Sequence, residues 1–286
     1  MPSTGIPAGI LSALSFGAGD FAGAFAARRA GALAVVAGAH GIGLVALLLA
    51  AAVIRPPIPD AGSAGIGLAA GVAGAVGLAA LYRGMSLGSM GLVTALAGAG
   101  SLAIPLIAGT VLGAAIAPLQ LAGVGCAAAA AAAASGASRT EVGRLALALA
   151  GAAAIGFGAW YVLIDLAARG GDPLWALVFS RASSSILTGV AAIGRVDRTR
   201  FPLRIVVVAG LFDVGGNAFY VIARDSLPVG LAAALVGMYP IVTMLLARFV
   251  LGERLSRLGQ LGVALALLGV VLISVGAPSP GQAGGQ

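Results

Sequence analysis

Gly91-Leu-Val-Thr-Ala-Leu-Ala-Gly98 returns 139 residues later as Gly230-Leu-Ala-Ala-Ala-Leu-Val-Gly237, with five of eight positions identical. At the same offset Leu112-Gly113 falls on Leu251-Gly252 and Gly123-Val124 on Gly262-Val263. Nearer the start, an offset of 141 sets Phe16-Gly17 on Phe157-Gly158 and Ala26-Ala27-Arg28 on Ala167-Ala168-Arg169. It also sets His40 opposite Arg181. In a chain with 46 glycines each identity alone is weak. Together they divide the chain into two related halves, 1–137 and 138–286, joined near residues 135–141, with a small length difference between them.

The medium these halves occupy follows from composition. Hydrophobic residues make up 60% and charged residues 9% of the 286, and the mean hydropathy is +1.09. A soluble domain carries roughly 25% charged residues, so this chain cannot clothe a water-facing surface. A bilayer core of about 30 Å takes about 20 apolar residues per helix. Ten such stretches are read at 6–27, 32–54, 62–81, 90–112, 118–135, 145–168, 174–194, 203–223, 229–251 and 258–276. The fifth is an alanine run of mild hydropathy, so nine is the rival count. Five spans per half is an odd number, so the second half enters the bilayer from the opposite side. The fold expected is an all-α integral membrane protein: ten transmembrane helices as two inverted five-helix repeats around a central cavity. Inverted repeats are a recurring plan of secondary transporters.

Charge narrows the classes further. The net charge is +7 and the pI about 11.0, but the arginines lie singly or in small groups between apolar stretches. That pattern orients helices in a bilayer and does not point to nucleic acid. Cys126 is the only cysteine, so no internal disulfide forms and no metal set is expected. The first apolar run lacks a basic segment before it and reads as a retained helix. No phosphate-binding glycine loop is present, and there is one histidine in total. The reading is therefore not an enzyme and needs no cofactor; transport would run on a gradient.

The stretch Ala223-Arg-Asp-Ser-Leu-Pro-Val-Gly-Leu-Ala-Ala-Ala-Leu235, then Pro240, Leu251-Gly-Glu-Arg-Leu255, Gln260-Leu-Gly262 and Gly269-Val270 resembles the EamA-type branch of the drug/metabolite transporter superfamily. The element Gly252-Glu253-Arg254 and Pro240 carry the family motif. In the first half Ala114 and Ala115 stand where Glu253 and Arg254 stand, and Ser101 where Pro240 stands. The resemblance implies ten helices as inverted five-helix repeats, a cavity lined by the first four helices of each half, and export of small metabolites, often amino acids. It also implies cytoplasmic termini. The arginine count points the other way: nearly all follow odd-numbered stretches, and only Arg55, Arg169 and Arg224 follow even ones.

Few ionisable side chains fall inside the apolar stretches, where each costs about 2.5–3.5 kcal/mol on insertion scales. Asp20 in the first stretch reads as a proton or ammonium acceptor, or else as an interhelical structural carboxylate. Asp213, with Asn217 one turn on, sits mid-helix in the eighth and reads as a cavity group or a packing hydrogen bond. Arg181 in the seventh is followed by three serines; it meets either an acid, with Asp213 the nearest by sequence, or a substrate carboxylate. His40 reads first as a packed neutral histidine. Trp160, Tyr161 and Tyr239 are placed on the cavity wall, while Glu253 and Arg254 read as an ion pair at a loop end. The partners expected are the lipid bilayer, a small-molecule substrate and protons for coupling. The leading function is secondary export of small metabolites such as amino acids at the cell membrane. Efflux of hydrophobic cations is the alternative within transport, and a membrane enzyme or a non-transporting assembly partner is the alternative outside it.

Overall fold

The structure, a computed structural model, describes residues 4–111, 117–137, 143–194, 201–226 and 235–276. Among them there is no strand. The described helices are α1 (Gly5–Ala30), α2 (Ala32–Ile54), α3 (Ala61–Leu87), α4 (Met90–Val111), α5 (Pro118–Ala137), α6 (Arg144–Arg169), α7 (Pro173–Ala192), α8 (Leu203–Ser226), α9 (Tyr239–Leu251) and α10 (Arg257–Val275). Helices are forced here because lipid offers no partner for a free backbone N–H or C=O. Seven of them are long and apolar enough to cross a bilayer, and α4, α5 and α9 supply shorter apolar runs. The chain is a multi-pass membrane protein. Residues 138–141 of the junction and the first-half motif positions Ala114 and Ala115 lie outside the described residues.

Glycine and alanine set how closely the helices approach. Without a hydrophobic drive between helices in lipid, small residues let backbones touch. Where α3 crosses α6, a Cβ on Gly156 would stand 2.6 Å from the backbone of Gly77. At the α5–α10 crossing a Cβ on Gly123 would stand 2.8 Å from the Gly269 carbonyl. Hydroxyls add interhelical bonds: Ser12 Oγ donates to Gly216 O at 2.7 Å, and Thr243 Oγ1 to Gly17 O at 3.0 Å.

The pairing of helices between the two halves is reciprocal. α3 packs on α6 and α7, and α8 packs on α1 and α2; α4 packs on α6, and α9 on α1. Three pairs of helices equivalent under the sequence offset also meet, and they run antiparallel. On α2 and α7, Ala37 faces Ser185 and Gly43 faces Arg181. On α4 and α9, Gly91 faces Met244 and Gly98 faces Tyr239. On α5 and α10, Gly123 faces Gly269 and Gln120 faces Gly276.

Two elements differ from expectation. α3 runs on to Leu87, six residues past the stretch read at 62–81, because Tyr82 and Met85 bury inside the bundle. The ninth stretch, read as continuous from 229, turns at Gly237–Met238, and α9 begins at Tyr239. Pro240 then falls in its first turn, where a missing N–H breaks no helical bond.

Candidate functional site

The ionisable groups of the apolar stretches converge midway along the bundle. Arg181 on α7 is 6% exposed. Its Nη2 donates to Asp213 Oδ2 on α8 at 2.5 Å, and its Nη1 donates to His40 Nε2 on α2 at 3.0 Å. A guanidinium has donors only, so His40 Nε2 must accept. The imidazole is then neutral with its proton on Nδ1, which points at Ser184 Oγ in close contact. Ser184 is held in turn by the next turn of α7, where Thr188 Oγ1 donates to the Ser184 carbonyl at 2.6 Å. Arg181 Nε is buried without an acceptor among the described residues, and it faces the gap left by Gly43. His40 and Arg181, equivalent positions of the two halves, thus touch each other where antiparallel α2 and α7 cross.

Asp20 on α1 has a different setting. Gly19 beside it lets α1 close on α8: a Cβ there would stand 3.2 Å from Phe212 and 3.3 Å from the Ala209 carbonyl. The carboxylate of Asp20 lies within electrostatic reach of Asp213, Tyr82, Tyr161 and Tyr239. It is half-buried, and among the described residues it has neither a salt bridge nor a hydrogen bond.

The aromatic side chains lie on α6 and α9. Trp160 and Tyr161 on α6 pack edge to face, 5.2 Å between ring centres, and Trp160 Nε1 donates to Ser180 Oγ at 3.0 Å. Tyr239 stands at the start of α9, its ring against Gly98 of α4, where a Cβ would come within 2.9 Å of its hydroxyl. Asn217 shares the Asp213 face of α8 but donates to the Asp213 carbonyl at 2.8 Å, not to its carboxylate. Tyr82 was not read from the sequence. It is 2% exposed and fills a notch at Gly23, one turn beyond Asp20. Tyr220 was also passed over; it continues the 213, 217 face of α8 and lies near Tyr161. That i, i+4, i+7 spacing was a signal that could have found it.

The family-motif residues lie elsewhere, and their expected ion pair is corrected. Glu253 does not pair with Arg254. Its Oε2 accepts from Met90 N at 3.0 Å, and its Oε1 from Gly91 N at 3.4 Å and from Ser89 Oγ in close contact. A carboxylate satisfies the orphan N–H groups at a helix start and matches the helix dipole, so Glu253 caps α4 across the halves. Gly252 permits this: at φ 69° it ends α9, and the Glu253 N–H closes back on Ala247 O. A polar crevice of about 390 Å³ lined by Arg28, Ser86, Ser89, Glu253 and Arg254 opens there. Asp165 pairs with Arg169 at 2.6 Å in the open, which contributes little.

Residues 144–275 match the EamA-like transporter family. This half of the chain belongs to that family. The EamA half therefore contains α6 to α10 and with them Trp160, Tyr161, Arg181, Asp213, Tyr239 and Glu253. A protein of Salmonella typhimurium described as a probable amino-acid metabolite efflux pump is 36% identical over 90 residues. That match spans 31% of this chain and 30% of the relative. A protein of known crystal structure superposes with a TM-score of 0.61 at 17% identity, over 96% of this chain and 98% of its own, so the fold is shared.

Proposed function

We propose that the chain is a secondary transporter that exports small metabolites such as amino acids by alternating access, and that it is not an enzyme. The observation that carries this reading is the meeting of equivalent, antiparallel helices at a charged site midway along the bundle. Halves 1–137 and 138–286 are then an inverted repeat, because a two-fold axis in the membrane plane sets equivalent helices antiparallel. A parallel repeat would set them parallel. Rocking one half against the other exposes the site at either face in turn. The cavity is built from Asp20, His40, Trp160, Tyr161, Arg181, Asp213, Asn217 and Tyr239. Asp20, Asp213 and Tyr239 are half-buried between helices and keep accessible surface, which supports a crevice wall. Protons are the proposed coupling ion, since Asp20 is a carboxylate with no fixed counter-charge. The half that belongs to the EamA family and the efflux pump it resembles support the same class.

The test is counterflow. Purified protein in liposomes loaded with an unlabelled amino-acid mixture is given labelled amino acid outside, with no ATP. Transient accumulation of label above the equilibrium level is expected. Equal label in protein-containing and empty liposomes across the metabolite panel would overturn the proposal.

A further inference from the structure

The charges of the site do not cancel, and the remainder has a sign and an address. The terminal nitrogens of Arg181 are taken inside the protein, Nη2 on Asp213 and Nη1 on His40, and its unpartnered Nε is buried against Gly43, out of reach of a ligand, with 6% of the residue exposed. His40 is neutral because it accepts from Arg181. Asp213 is balanced by the guanidinium. Asp20 alone is left, on α1, half-buried and without a hydrogen-bond or salt-bridge partner among the described residues. The walls around it differ in kind. α1 and α8 carry the two acids; α6 and α9 carry Trp160, Tyr161 and Tyr239. At the 141 offset Asp20 falls on Tyr161, so the two halves place a carboxylate and a phenol at equivalent positions.

From this we infer that the site selects a protonated amine, bound through its ammonium to Asp20, and does not read a carboxylate. The inference rests on the transport reading and names its substrate class. An ammonium gives Asp20 the charge-assisted bonds the protein withholds. Tyr161 and Tyr239, within electrostatic reach of Asp20, offer aromatic surface to the same cation and its apolar body. A substrate carboxylate finds no free guanidinium, because reaching Arg181 would mean displacing Asp213. The amine is therefore required and the carboxylate dispensable.

Three probes separate the charges: phenethylamine, a cation; phenylalanine, a zwitterion; and N-acetylphenylalanine, an anion. Binding to purified protein is measured by calorimetry and flux in liposomes, each at neutral pH. Phenethylamine should bind and move at least as well as phenylalanine. N-acetylphenylalanine should be weaker by about tenfold or more, the scale of one charge-assisted bond. Asp20→Asn should level the three, and Asp20→Glu should keep their order. The inference fails if N-acetylphenylalanine matches phenethylamine, if phenethylamine falls about tenfold below phenylalanine, or if Asp20→Asn leaves the order intact. Should Asp20→Asn not fold, the order in the wild-type protein decides by itself. The expected order in binding with no flux of any probe leaves the inference standing and sinks the transport reading.

Discussion

Arg181 and Asp213 form a buried ion pair, Nη2 to Oδ2 2.5 Å, between α7 and α8, and His40 braces the guanidinium from α2. Three helices from both halves are therefore tied to one charge. Removing one member strands the other, which costs about 3–5 kcal/mol, while removing both leaves no uncompensated charge. Arg181→Ala and Asp213→Asn should each lower the unfolding temperature in detergent. The double variant should be more stable than either single. Equal stability of Arg181→Ala and wild type would show that the pair holds nothing.

Glu253 should act on α4 and not on its own neighbour. Glu253→Ala removes the cap of Met90 and Gly91, a loss of about 0.5–2 kcal/mol on the scale of helix caps. Ser89→Ala removes part of the same cap, so the two losses should sum to less than their separate values. Arg254→Ala should leave stability unchanged. A loss in Arg254→Ala as large as in Glu253→Ala would restore the ion-pair reading.

Asp60, outside the spans, gives a pH-dependent effect. Its carboxylate caps α3, accepting from Ser63 Oγ at 2.7 Å and Ser63 N at 3.0 Å. These bonds hold it below the usual carboxylate range. A group depressed in the folded state stabilises above its unfolded pKa and loses that contribution as pH falls through the folded value. Asp60→Ala should thus unfold at lower temperature than wild type at neutral pH, and the gap should close once the carboxylate is protonated. A gap that persists in acid would assign it to lost packing.

The sequence carried the helices because each bilayer crossing must be apolar over its whole length. It also carried Arg181 and Asp213, because an isolated charge in that medium demands an opposite one, and few were available. Tyr82 in the notch at Gly23 was not legible: the fit belongs to two helices far apart in sequence, and a lone Gly or Tyr in an apolar run has many uses. The cap from Glu253 to α4 was hidden for the same reason, since its acceptors are backbone N–H groups that every helix start has. The turn at Gly237–Met238 was passed over because hydropathy does not change across it.

Alternating access at the central site is the claim on which the transport reading rests, and Asn217 tests it most directly. In a Cys126→Ser background, which removes the sole cysteine, Asn217→Cys is exposed to a membrane-impermeant thiol reagent in right-side-out and in inverted vesicles. The account predicts labelling from both sides, with substrate shifting the ratio between them. Labelling from one side only, unchanged by substrate, or from neither, would contradict it.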